Sequence, residues 1–107
     1  MLFYRAQAGA EPVRAWLLDL SADDRQAIGQ DLMRAQFRWP VGMPLCRPMS
    51  AGLFEIRTNL RSRTARILIC HHQGAFFALH GFIKKTQQTP PADLKIARQR
   101  QKEIENG

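Results

Sequence analysis

Apolar residues fall into two rhythms along the chain, and the switch between them points to the fold class. After Glu11-Pro12, where proline suits the first turn of a helix, Val13, Trp16, Leu17 and Leu20 recur at helical spacing. Ile28, Leu32, Ala35 and Trp39 then repeat at i, i+4, i+7 and i+11. Ser21 stands where an N-cap is wanted, with Asp23 and Asp24 in the first turn behind it. The spacing predicts a second amphipathic helix over 22–37, closed by Pro40. The two helices are expected to form a hairpin with one shared apolar side, and their tryptophans to belong to the core.

From 41 to 52 the chain carries Gly42, Pro44, Pro48 and Gly52 and reads as a connecting loop. Three short runs rich in Ile, Leu and Phe follow, at 53–58, 66–72 and 75–83. The gap between the last two is Gln73-Gly74, a polar-glycine pair suited to a tight antiparallel hairpin. These runs are three consecutive antiparallel strands, and residues 1–5 add a short edge strand, for three to four in all. Residues 89–93, Thr-Pro-Pro-Ala-Asp, open a last helix whose one side carries Leu94, Ala97, Gln101 and Ile104. Helices grouped before a meander argue for an α+β fold: an N-terminal helical hairpin packed on a small antiparallel sheet, with a C-terminal helix. At 107 residues, positions 1–107 are expected to form a single domain.

Charge changes the picture next. Sixteen Lys and Arg face nine Asp and Glu, a net charge of +7. From 56 to 92 there is no acidic residue, while Arg57, Arg61, Arg63, Arg66, Lys84 and Lys85 all lie there. The hairpin mixes both signs. A sheet with an unbalanced positive field repels itself unless an anion visits it, which points to a phosphate-binding surface. Strand alternation places Phe54 and Ile56 on the core side, with Glu55 and Arg57 opposite. Ile67 and Ile69 likewise leave Arg66 on the open side. On the third strand both faces are apolar, so the pattern leaves open which of Lys84 and Lys85 faces the ligand. Cys46 and Cys70 show no CxxC or metal-ligand spacing, and Cys70 reads as a buried free thiol. No cleavable leader and no apolar stretch near the roughly 20 residues of a membrane span is found, so the chain is expected to be cytoplasmic and to have no membrane partner.

Gly52-Leu53-Phe54-Glu55-Ile56-Arg57, then Arg66-Ile67-Leu68-Ile69, then Leu79-His80-Gly81-Phe82-Ile83-Lys84-Lys85-Thr86-Gln87-Gln88-Thr89-Pro90, resemble the RelE/ParE toxin superfamily, in particular its HigB-like, phage-derived branch. The resemblance runs from the helical hairpin to the last helix. It implies the toxin of a type II toxin–antitoxin system, a ribosome-dependent endoribonuclease that cleaves mRNA without a metal or other cofactor. The implied partners are a helix-turn-helix, HigA-like antitoxin, the ribosome and mRNA. Carried over by position, the catalytic cations are Arg57, Arg66 and Lys85, with Lys84 beside it. Two family features are missing. Ala65 stands where members often have Tyr, and the C-terminus lacks a Tyr or His, Tyr4 being the sole tyrosine.

The implied reaction is attack of a ribose 2′-hydroxyl on its own 3′ phosphate. It raises negative charge on the non-bridging oxygens, which Arg grips bidentately and Lys meets as a point charge. Arg57 and Arg66 are assigned to that task, and Lys85 to binding phosphate or protonating the leaving oxygen. Glu55 is a candidate general base, its other reading being an ion pair with a neighbouring arginine. A lysine with a lowered pKa is the second candidate. Arg61, Arg63, Lys95 and Arg98 are expected to contact RNA. His71, His72 and His80 have no second group at telling spacing. Two alternatives share the charge: a ParE-like DNA gyrase inhibitor, and an RNA-binding module without activity. The trio Arg57, Arg66 and Lys85 favours the nuclease over the first. The lack of exposed aromatic pairs on the sheet speaks against a stacking module.

Overall fold

A computed structural model describes residues 1–85 and 87–107. Thr86, part of the 79–90 block that carries the resemblance, lies outside the described residues. The fold is α+β. Among the described residues three helices, α1 (Pro12–Leu18), α2 (Ala22–Phe37) and α3 (Pro91–Asn106), surround a five-stranded sheet. Its strands are β1 (Leu2–Phe3), β2 (Cys46–Pro48), β3 (Leu53–Asn59), β4 (Thr64–His72) and β5 (Ala75–Lys84), in the spatial order β1-β5-β4-β3-β2.

Two strands correct the expectation of a purely antiparallel sheet of three to four. β1 pairs parallel with β5, so the sheet is mixed, and β2 pairs antiparallel with β3 inside the segment expected to be a loop. Both are edge strands of two or three residues, too short to show a period. Pro48 is tolerated at the end of β2 because an edge strand has one ladder partner only. The three central strands follow the apolar runs closely. Gln73 and Gly74 turn β4 into β5 with φ of 50° and 79°, the left-handed pair a two-residue hairpin needs.

The helices also depart from expectation. α1 packs chiefly against β5 and α2 against β3, and the expected N-terminal helical hairpin is not shown. Each apolar stripe is taken by a different strand. Arg25 of α2 still reaches back to the carbonyls of Leu17, Leu18 and Leu20, at 3.5, 3.3 and 3.4 Å, and caps the end of α1. Ser21 caps α2 through the Asp24 N–H at 3.2 Å.

One core lies between these helices and the sheet: Val13, Leu17, Ile28, Leu32 and Ala35 against Ile56, Ile67, Ile69 and Ala78. Trp39 closes it, edge-on to Phe54 and Phe76 at 4.7 and 5.0 Å. A second core lies on the other face, where Ala97 of α3 meets Tyr4, Leu53, Leu68, Cys70 and Leu79. α3 packs against β4 and β5, so half of the face expected to be open is covered. The two free cysteines sit in different cores, Cys46 with the first and Cys70 with the second.

A register shift in β5 decides the chemistry of the uncovered half. Leu68 pairs with His80 but Ile69 pairs with Ala78, leaving Leu79 as an extra residue. Beyond that bulge His80, Phe82 and Lys84 share the α3 side, while Gly81 faces α1. A Cβ at Gly81 would meet the Trp16 ring at 2.7 Å and Ile67 at 2.9 Å, so only glycine lets α1 lie this close to β5.

Candidate functional site

The site grows from three neighbouring strands. Arg57 of β3 and Arg66 of β4 are directly opposed, and both point to the α3 side of the sheet beyond the reach of α3. Glu55, two residues before Arg57, lies on that side as well. One of its oxygens, Oε1, stands 3.6 Å from Arg57 Nε and 3.5 Å from Arg66 Nε. The other, Oε2, accepts a 2.6 Å hydrogen bond from the Thr89 hydroxyl. Glu55 is only 1% exposed and Arg66 only 6%. Both arginine Nε atoms are buried and have no hydrogen-bond partner among the described residues. The carboxylate therefore draws two guanidinium groups together without satisfying them.

The cations raise one another's cost of charging. Burial, then Arg57, then Arg47 push the Arg66 pKa down, and Glu55 works against them. Lys84 is also lowered, first by burial and then by Arg66, Arg57 and Arg47, again with Glu55 opposing. Lys84 pairs in register with Thr64, two residues along from Arg66. Arg47 of β2, opposite Glu55, is a cation of this face that pattern reasoning missed.

Two grooves open over these side chains and meet at Thr64 and Arg66. One, of about 740 Å³, runs from α2 past Pro44 and Leu45 to the strands and is lined by Arg34, Arg38, Arg57 and Arg66, with Asp31 among its lining residues. The other, of about 400 Å³, is lined by Thr64, Arg66, Lys84, Lys85 and Gln87. Arg57, Arg66, Lys84 and Lys85 thus come together, with Lys84 on the arginine side of the strand and Lys85 exposed just beyond it. The arrangement suits a chain of phosphates.

A family model, Phage derived protein Gp49-like (DUF891), matches residues 15–102. The chain belongs to that family. Gp49-like proteins are associated with RelE-like toxins of toxin–antitoxin systems. Neither the curated proteins nor the solved structures include a significant match. In this Gp49-like chain the matched span takes in both grooves and most of α3, and leaves out β1 with Tyr4.

The remaining expected RNA contacts lie elsewhere. Arg63 is held by Asp24 at 2.7 Å, and Arg61 and Arg63 line a separate concavity beside Asp23 and Asp24, where charges nearly cancel. Arg98 donates to the carbonyls of Met49 and Ser50 at 2.6 and 3.0 Å and to the Ser50 hydroxyl at 3.0 Å. With Gln101, which donates to Ala51 O at 2.7 Å, it holds a turn in which Ser50, Ala51 and Gly52 all have positive φ. Lys95 is exposed on α3 and lines neither groove. His80 meets Asp93 at 2.6 Å and ties the first turn of α3 to β5, next to the Phe82 ring. Tyr4 donates to Glu103 at 2.8 Å, in the core under α3. Arg34 and Arg38 escaped the sequence reading because they lie on the polar face and at the C-cap of α2, where charges of both signs look solvated.

Proposed function

We propose that this chain is the toxin of a type II toxin–antitoxin pair and cleaves mRNA on the ribosome. The 2′-oxygen of a nucleotide forms a bond to its own 3′ phosphorus as the bond to the 5′-oxygen breaks. The products are a 2′,3′-cyclic phosphate and a 5′-hydroxyl. One observation carries the reading: Arg66, nearly buried at the junction of two cationic grooves, and Arg57, half-buried in the larger one, share a single carboxylate. The Nε sides of both arginines face Glu55, so a phosphodiester in the grooves would meet their terminal N–H groups.

In this reading Arg57 and Arg66 stabilise the charge that grows on the non-bridging oxygens. Lys84, whose pKa is lowered by burial and by the arginines, gives a proton to the departing 5′-oxygen, while the 2′-proton passes to water. Lys85 neutralises the adjoining phosphate from the rim. Glu55 serves as a positioning residue: its oxygens are engaged by Arg57, Arg66 and Thr89, which suits an anchor better than a base. The association with RelE-like toxins supports an antitoxin partner, and the same reading takes that partner to be a HigA-like helix-turn-helix protein and the place of action to be the ribosome in the cytoplasm.

The test is brief expression in bacteria, with 5′ ends mapped on a translated message, in parallel with Arg66→Ala. Cuts confined to translated message and absent in the variant are expected. SOS induction with intact message would instead mark a gyrase inhibitor and overturn the nuclease.

A further inference from the structure

We propose that the phosphate-binding line continues past the cleavage site along the C-terminal turns of α2, where Arg34, Arg38 and the exposed ring of Phe37 hold the nucleotides flanking the scissile bond. The inference rests on the nuclease reading and extends it to the path of a single strand. Arg34 and Arg38 line the large groove, and the same two residues line a third concavity of about 360 Å³ together with Met33 and Phe37. Thr64 and Arg66 join the large groove to the Lys84–Lys85 groove. Three concavities therefore lie in series, each linked to the next by shared side chains. The carboxylate lining the large groove, Asp31, is already paired with Arg34 at 2.9 Å, so the lining stays cationic.

Phe37 is 77% exposed at the far end of this line, an unusual place for a large ring. A ring flanked by arginines offers a stacking face to an unpaired base while the guanidinium groups meet the phosphates on either side. A duplex hides its bases and gains nothing from such a ring. A second copy of this chain, at +7, would bring like charge to a cationic rim. The occupant that fits is a single-stranded polynucleotide longer than the two nucleotides that the reaction itself needs.

The probe is a 2′-O-methyl oligoribonucleotide, which lacks the attacking hydroxyl, in lengths of two and eight nucleotides, bound to the purified full chain and followed by fluorescence anisotropy over a salt series. The octamer is expected to bind at least about tenfold more tightly than the dimer. Phe37→Ala and Arg38→Ala each weaken octamer binding about tenfold, and only Arg38→Ala lowers the slope of log affinity against log salt, by about one. Circular dichroism of both variants checks that they are folded. Unchanged octamer affinity in both variants overturns the inference. So does a duplex that binds as tightly as the single strand, or a result in which the two substitutions release a protein partner and leave oligonucleotide affinity intact. Because the probe is not cleaved, the two readings fail separately. Length-dependent binding without message cleavage sinks the nuclease, and message cleavage with length-independent binding sinks the extended track.

Discussion

The α3 side of the sheet is one surface made by the same three strands, yet its two halves are built on opposite terms. Under α3, polar groups are matched: Tyr4 with Glu103, Arg100 with the Leu79 carbonyl at 2.8 Å, Gln101 with the Ala51 carbonyl, and Arg98 with the Met49–Ser50 turn. Beyond α3, Arg57 and Arg66 crowd one carboxylate and keep buried Nε atoms without partners. The first half uses its cations to fasten chain to chain. The second leaves its cations lining open grooves, where an anionic ligand can meet them. Charge alone does not separate the halves, since both contain arginines. Partner accounting does.

Substitutions should therefore split by half, and the largest expected effect is on cleavage. Arg66→Ala should lower the rate by about 10²–10³, the usual effect of removing one preorganised donor to a developing charge. Message cleavage in a reconstituted translation system reads it, and a rate within a factor of three of wild type would erase the contrast. Next comes Glu55→Gln. Taking the buried carboxylate from between the buried Arg66 and the half-buried Arg57 should cost about 3 kcal/mol of stability in urea unfolding. It should also slow cleavage, and raising the pH should not restore it, because the fault is in position and not in a missing base. A variant as stable as wild type would mean that the arginines are already solvated.

Much of this contrast was legible in the sequence and part of it was not. The runs at 53–58, 66–72 and 75–83 gave β3, β4 and β5, and the absence of acid between 56 and 92 marked the cationic face. Alternation placed Arg57 and Arg66 together because period two survives wherever a strand is regular. It left Lys84 and Lys85 open because both faces of β5 are apolar, and the bulge at Leu79, which sets the phase of the strand's end, leaves no trace in composition. It missed Arg47 because β2 is a three-residue edge strand that ends in proline. Arg98 looked like a free cation because nothing local reveals that a turn 48 residues away offers it three acceptors.

That last residue gives the sharpest way to separate the halves. Arg98→Ala should cost about 2 kcal/mol, since it removes charge-assisted hydrogen bonds from a turn whose Ser50 and Ala51 sit at positive φ. Cleavage per folded molecule should stay at the wild-type level. A loss of cleavage with unchanged stability would move Arg98 from the fastening half to the binding half.

The smallest expected effect belongs to Tyr4, and it tests the fastening half alone. Its hydrogen bond to Glu103, then burial, then the Glu103 charge raise its pKa above 10.0, and Arg100 opposes them. A group whose pKa is raised by folding adds stability that is complete below its unfolded value and is lost as pH climbs through the folded one. Wild-type stability should thus decline above about pH 10 partly through Tyr4, and Tyr4→Phe should remove that part of the slope. At neutral pH the variant should lose about 1 kcal/mol and keep full cleavage. Tyr4 is the chain's single tyrosine, so its ionisation can be followed by ultraviolet absorbance without interference from another phenol. A titration at the ordinary value would mean that Glu103 does not hold it, and the claim that every polar group under α3 is matched would fail at its most accessible point.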